Sequence, residues 1–281
     1  MFYAQVGTEV TIVEFMDQLL PGTDIDLVKV VQRKAKKAGI KIHLKSSAKS
    51  YKTKGDGVEV LVDVNGKEQT FDADVILLTV GRRPVTANIG LETVGVKTDK
   101  RGFISVDAQC QTKTPHVYAV GDITTGPMLA HKGSAQGLTA AGAICRQPGI
   151  AYDYKVVPWV IFTDPEIAGT GMTEAECKEK GLDYKVGRFN FAANGRAMSM
   201  HATDGFVKVI TDAKDDTIIG VHMVGPNVTD MITEGSLAIE TGLTAEDIAL
   251  TIHPHPTLSE AFMEACEDVH GMSPHAMTTK K

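Results

Sequence analysis

The chain has 281 residues, 43% apolar and 23% charged, with a formal net charge of -6. That is ordinary globular material, long enough for two domains or three compact units, and it indicates neither a nucleic-acid footprint nor a membrane-surface patch. No apolar run approaches the length of a membrane span and the first residues lack a basic and apolar leader, so the expected location is cytoplasmic. Cys110, Cys145, Cys177 and Cys266 lie far apart without a C-x-x-C or C-x-x-x-x-C pair, which makes them structural thiols, and no cluster at ligand spacing predicts a metal.

Residues 3–6 read as the last turn of a helix stopped by Gly7, and residues 8–14 alternate as a strand. In a dinucleotide-binding βαβ unit, the second strand ends in an acid that hydrogen-bonds the adenosine ribose. Glu14 fits that acid, and a carboxylate there favours NAD over NADP because it repels a 2′-phosphate. A helix follows over 25–37, then a strand at 40–44. A strand at 58–64 turns at Asn65-Gly66 into residues 68–71, a hairpin pattern.

Residues 73–80 form a nearly continuous apolar run, as a parallel strand buried on both faces should, ending at Gly81 where backbone can approach a ligand closely. Two more strands are predicted at 104–107 and 117–122, the second ending in Gly121-Asp122. A small-residue helix is predicted through residue 142, opened by Met128, Leu129, Ala130 and His131. Its free N–H groups and positive dipole end suit the electron-rich side of a bound ring. Composition changes after Pro148-Gly149, a plausible boundary. Thr173 begins a helix ended by Gly181, strands follow at 184–189, 205–211 and 218–224, and Met-rich 196–201 reads as loop or interface material. Trp159 reads as buried packing. Helices are predicted over 228–240, from Thr244, and over 258–266, the last capped by Thr257 or Ser259. The tail 272–281 is expected to be disordered.

Between the last two helices runs His253-Pro254-His255-Pro256-Thr257-Leu258-Ser259-Glu260-Ala261-Phe262. Prolines restrict the backbone on both sides of His255, holding its imidazole at a set angle. A carboxylate on one ring nitrogen fixes the tautomer and raises the basicity of the other. His255 is thus the candidate base and Glu260 its orienter.

This run resembles the C-terminal signature of the dihydrolipoamide dehydrogenases, flavoprotein disulfide reductases that serve 2-oxoacid dehydrogenase complexes. Residues 15–24, 117–122, 128–131 and 156–168 resemble the same family in the same order. The resemblance implies that His255 takes a proton from a substrate dithiol, held by Glu260, across a homodimer interface where a cis His255-Pro256 bond would suit. It implies that Asp122 accepts a hydrogen bond from the ribityl chain of FAD, that Met128, Leu129, Ala130 and His131 line the flavin, and that Gly81 lies beside the NAD nicotinamide. The implied fold is α/β, parts of two dinucleotide-binding domains, followed by an α+β dimerisation domain: 1–83 the remainder of the NAD-binding domain, 84–150 the returning part of the FAD-binding domain, 151–271 the interface domain. The implied reaction oxidises a dihydrolipoyl group with NAD⁺ through FAD and a redox disulfide, the partners being lipoyl domains. Both glycine-rich turns and the redox-active cysteine pair are absent from these 281 residues, so the chain alone is expected to be inactive. Two rivals are a reductase acting on glutathione and a non-catalytic dimerisation module.

Overall fold

The computed structural model describes residues 1–275; the expectation for the tail lies, from residue 276 on, outside the described residues. By contacts the chain divides into two units, residues 1–77 together with those from 158 onward, and residues 78–157. The first unit joins segments that the sequence reading assigns to different domains.

The reason lies in one helix. After α1 (Phe2–Gln5), β1 (Thr11–Val13) pairs in parallel with β2 (Lys41–His43), with α2 (Ile25–Lys37) between them in the chain. Asp24 caps α2 by accepting the Asp26 N–H at 2.9 Å, and Lys34, Lys36 and Lys37 sit at the negative end of its dipole. Its apolar stripe needs a surface to cover. Leu27, Val30 and Val31 find it among Ile167, Phe206 and Val224, with Trp159 and Ile161 packed alongside. Burying each such side chain stabilises the unit by about 1.5–3 kcal/mol.

That surface belongs to a five-stranded antiparallel sheet in the order β6-β7-β10-β9-β8, formed by β6 (Trp159–Ile161), β7 (Glu166–Gly171), β8 (Tyr184–Asn190), β9 (Phe206–Asp212) and β10 (Ile218–Gly225). Five helices accompany it: α4 (Glu174–Glu179), α5 (Gly195–Ser199), α6 (Val228–Thr241), α7 (Ala245–Ala249) and α8 (Glu260–Val269). Reciprocal capping boxes start α4 at Thr173 with Glu176, and α7 at Thr244 with Asp247. α6 lies against β7 and β10, and α8 against β8 and β9. Gly187 is where α8 meets the sheet: a Cβ there would run into the Ala265 carbonyl and the Val269 amide.

A separate sheet, β3-β4-β5, consists of β3 (Ser46–Lys54), β4 (Gly57–Val64) and β5 (Lys67–Ala73), turning at Asn65 and Gly66 with φ of 52° and 83°. β3 is too polar to show alternation, so only its ladder with β4 defines it.

Residues 78–157 contain α3 (Ala130–Ile144), 3₁₀ turns at Leu91–Val94 and Gly121–Ile123, and isolated bridges such as Gln111 with Tyr118. Three predicted strands are not formed. Of 73–80, only Ala73 lies in a strand, and Val75, Leu78 and Val80 are 81%, 76% and 86% exposed. Segments 104–107 and 117–122 form isolated bridges, Ile104 with Thr98 and Thr124, and Tyr118 with Gln111. An apolar run records that a strand is built for burial, but a ladder also needs partner backbones, and the described residues supply none.

One buried group carries a pH signature. His222 of β10 is fully buried, its Nε2 lies 2.9 Å from the Met172 carbonyl, and its Nδ1 has no partner. Burial pushes its pKa below the ordinary imidazole value, only partly offset by the Met172 bond and by Asp24 and Glu176, while Lys208 adds to the depression. A depressed folded pKa means that the unfolded chain binds the proton first, so this stability is present above about pH 6.5 and is lost as pH falls towards the folded value. Trp159, the only tryptophan, lies 6.3 Å from the His222 ring and reports unfolding directly. Denaturant midpoints read by its fluorescence should fall from pH 8 to pH 5, and less steeply in His222→Gln; equal slopes would refute the assignment.

Candidate functional site

The loop between α7 and α8 is held from three sides. His253 is anchored with Nε2 at 2.9 Å from Glu234 of α6 and Nδ1 at 2.8 Å from the Thr251 carbonyl. Asn194 donates its side-chain amide to the Thr257 carbonyl at 3.0 Å. The Thr257 hydroxyl donates to the Pro254 carbonyl at 2.7 Å and lies 2.9 Å from the Ser259 hydroxyl. Both hydroxyls are thus spent inside the loop, and neither caps α8 as predicted. The His255-Pro256 peptide is cis.

Within that frame His255 and Glu260 meet. Nδ1 of His255 lies 2.8 Å from Oε1 of Glu260, while Oε2 accepts the Thr257 N–H at 2.7 Å. Burial would push the Glu260 carboxyl up, but the Thr257 N–H and the His255 ring outweigh it, and the carboxyl is held below the usual carboxylate range. Its place in the first turn of α8 also favours negative charge. An ionised Glu260 can only accept, so Nδ1 carries the proton and Nε2 keeps its lone pair. With the His255 side chain 77% exposed and Glu260 at 18%, the ring presents a bare, oriented Nε2 to the surroundings. This arrangement can take a proton.

In the same unit, Glu14 follows β1, and its Oε1 accepts the Met16 N–H at 2.8 Å, which fixes a half-buried carboxylate at the strand end. That fits an acid awaiting a ribose hydroxyl. Gly81, in the other unit, has φ of 113°, a conformation L side chains rarely adopt, but it lies in an exposed irregular segment rather than at a strand end.

The rest of the predicted cofactor residues gather around α3. Gly121, with φ of 76°, opens the 3₁₀ turn that carries Asp122, whose carboxylate is exposed. Gly133 of α3 comes so near that a Cβ would lie 3.3 Å from the Gly121 Cα. Met128 and Leu129 are half-buried, Ala130 and His131 are exposed, and no side chain caps the N-terminus of α3. An uncapped positive helix end beside an exposed acceptor and two close glycines fits an electron-rich ring with a hydroxylated chain.

Sequence reasoning missed the Thr257 amide on Glu260, the Glu234 anchor of His253, and Lys132 and Gln136, which grip the turn after Gly121. The Thr257-to-Glu260 spacing was the legible signal for the first; a lone lysine among small residues was the signal for Lys132. The cysteines are no part of a site. Burial pushes the Cys110 and Cys177 thiols up and the Cys266 thiol well up, and Cys145 is an isolated exposed residue. Among the described residues there is no group of three or more metal-binding side chains and no helix long and apolar enough to cross a membrane.

Comparison with known proteins identifies the family. Residues 1–137 match the family model for the pyridine nucleotide-disulphide oxidoreductases and residues 157–266 the model for their dimerisation domain. The chain is 50% identical over 274 residues to the dihydrolipoyl dehydrogenase of Bacillus subtilis, covering 97% of this chain and 58% of that protein. It is 43% identical over 277 residues to that of Haloferax volcanii, covering 98% and 58%. Among solved structures, LpdA of Mycobacterium tuberculosis superposes with a TM-score of 0.87 at 27% identity over 94% of this chain and 57% of that one. The HOCl-induced flavoprotein disulfide reductase RclA of Escherichia coli superposes with 0.85 at 26% identity, covering 92% and 59%. The chain spans about 58% of the length of the curated relatives it matches, and it belongs to the pyridine nucleotide-disulphide oxidoreductase family.

Proposed function

We propose that the complete protein is a dihydrolipoyl dehydrogenase, and that His255 is its base. The observation that carries this is the two-point hold on Glu260, which leaves Nε2 of His255 free to accept a proton. In the reaction, Nε2 takes the proton from a dihydrolipoyl thiol as the thiolate forms, and Glu260 stabilises the resulting imidazolium without itself being protonated. In the complete protein a redox disulfide, absent from these 281 residues, would take the electron pair as the dihydrolipoyl dithiol closes to its own disulfide, and FAD would carry the pair on to NAD⁺. Asp122 accepts from the ribityl chain, with Met128, Leu129, Ala130 and His131 at the ring and Gly81 at the nicotinamide. Glu14 receives the adenosine ribose of NAD and disfavours a 2′-phosphate.

In this reading 1–83 serves NAD, 84–150 serves FAD and 151–271 forms a homodimer, so that each His255 serves the neighbouring subunit. The match to a dimerisation-domain model supports that assembly. Lipoyl domains of a 2-oxoacid dehydrogenase complex are the partners, in the cytoplasm, with a part in redox homeostasis.

The names of the curated relatives favour lipoamide over glutathione. In the complete enzyme, NAD⁺ reduction should proceed with dihydrolipoamide and not with reduced glutathione. Turnover with glutathione alone would replace the substrate; turnover with neither would leave a dimerisation module.

A further inference from the structure

The most costly side chain in residues 78–157 is one that the proposed chemistry does not use. Lys132 of α3 is 2% exposed. Burying an ammonium costs several kcal/mol unless bonds compensate it, and a leucine or methionine would fill the same space at no such cost. Its bonds are all to one short segment. Nζ donates to the Thr125 carbonyl at 2.9 Å and lies 3.3 Å from the Thr124 carbonyl.

One turn further along the same helix face, Gln136 is also buried. Its Oε1 accepts the Gly121 N–H at 2.8 Å and lies 3.1 Å from the Thr124 hydroxyl, which is itself 2.8 Å from the Gly121 carbonyl. The two side chains therefore hold opposite ends of a five-residue turn, 121–125, on which Asp122 is exposed. Gly133, between them, lets the helix come close enough for both to reach. Burial lowers the Lys132 pKa, and the nearby Asp122 charge opposes that.

We infer that Lys132 and Gln136 are positioning residues for the flavin: from one face of α3 they fix the 121–125 turn so that the Asp122 carboxylate is presented in one orientation to the hydroxylated chain of the cofactor. This rests on the assignment of Asp122 to the flavin made above. Pre-organising an acceptor raises affinity by removing the ordering cost from the binding step.

The test is a double-mutant cycle in the complete enzyme, read as the equilibrium dissociation constant for FAD and as the visible flavin spectrum, with the thermal midpoint of the flavin-free protein as control. Lys132→Met should weaken FAD binding about 10-fold and perturb the spectrum, while the flavin-free midpoint stays level or rises because methionine fills a buried site without a charge. Asp122→Asn should weaken binding at least as much. The double variant should bind no worse than Asp122→Asn to within about 2-fold, since Lys132 acts only through that carboxylate. If Lys132→Met lowers the flavin-free midpoint, Gln136→Met takes its place in the cycle. Additive losses, or unimpaired binding by the α3 variant beside a weakened Asp122→Asn, would overturn the positioning role and leave Asp122 standing. Unimpaired binding by Asp122→Asn would overturn the assignment of Asp122, and the positioning role with it.

Discussion

His255→Gln is expected to slow dithiol oxidation by the complete enzyme roughly 10²-fold or more, the usual scale for losing a general base. The expectation follows from where the ring sits. Its side chain is 77% exposed and is bonded to Glu260, so glutamine removes the base while the fold loses little, within about 0.5 kcal/mol. Glu260 keeps its bond from the Thr257 N–H. Rate and stability should therefore separate: the stopped-flow rate of flavin reduction by dihydrolipoamide collapses while the thermal midpoint holds. Glu260→Gln should also slow the reaction, because an amide NH₂ facing Nδ1 inverts the tautomer and puts a hydrogen on Nε2. A near-normal rate in His255→Gln would remove the role assigned to it.

Lys208→Ala should be the most destabilising single change in the unit containing α2 and the five-stranded sheet. Lys208 sits mid-β9 and is 2% exposed, with Nζ 2.9 Å from Asp24, 3.1 Å from Asp26 and 2.7 Å from Glu174. Burial alone would draw its pKa down; the three carboxylates outweigh burial and hold it above the usual lysine value. The same ammonium thus ties the N-termini of α2 and α4 to the sheet. Removing one partner of a buried ionic cluster costs about 3–5 kcal/mol because the remaining charges stay desolvated. The side chains of Asp26 and Glu174 are 35% and 28% exposed, so water reaches them and the lower end, roughly 3 kcal/mol, is expected. Urea unfolding followed at Trp159 measures it. Adding Asp24→Asn and Glu174→Gln to the Lys208 variant should recover part of the loss; a cost under about 1 kcal/mol would mean that the cluster contributes little.

The sequence was most legible where local chemistry decides the outcome. α2 forms over the 25–37 predicted for it, and the β4–β5 hairpin turns at the predicted Asn65-Gly66. The helices starting at Thr173 and Thr244 were announced by their capping residues. It was least legible where partners decide. The run at 73–80 is built for burial, yet beyond Ala73 it is irregular and exposed for want of adjacent strands among the described residues. Short β6 and polar β3 exist through their ladders alone. At the site, the His255–Glu260 pair was readable because proline and a five-residue spacing restrict the backbone between them. The bonds that make it rigid were not, since Asn194 and Glu234 reach the loop from distant parts of the chain. Lys132 and Gln136 stayed hidden for a related reason: helical spacing shows that they share a face, but not what that face grips.

The proton on His255 is the most direct thing to measure. In complete protein labelled with ¹⁵N-histidine, with the His255 signals identified by their absence in His255→Gln, the neutral ring should show a protonated Nδ1 and a bare Nε2. A hydrogen resident on Nε2, or an even average of the two tautomers, would contradict the account, because Glu260 would then not be holding the ring as a poised acceptor.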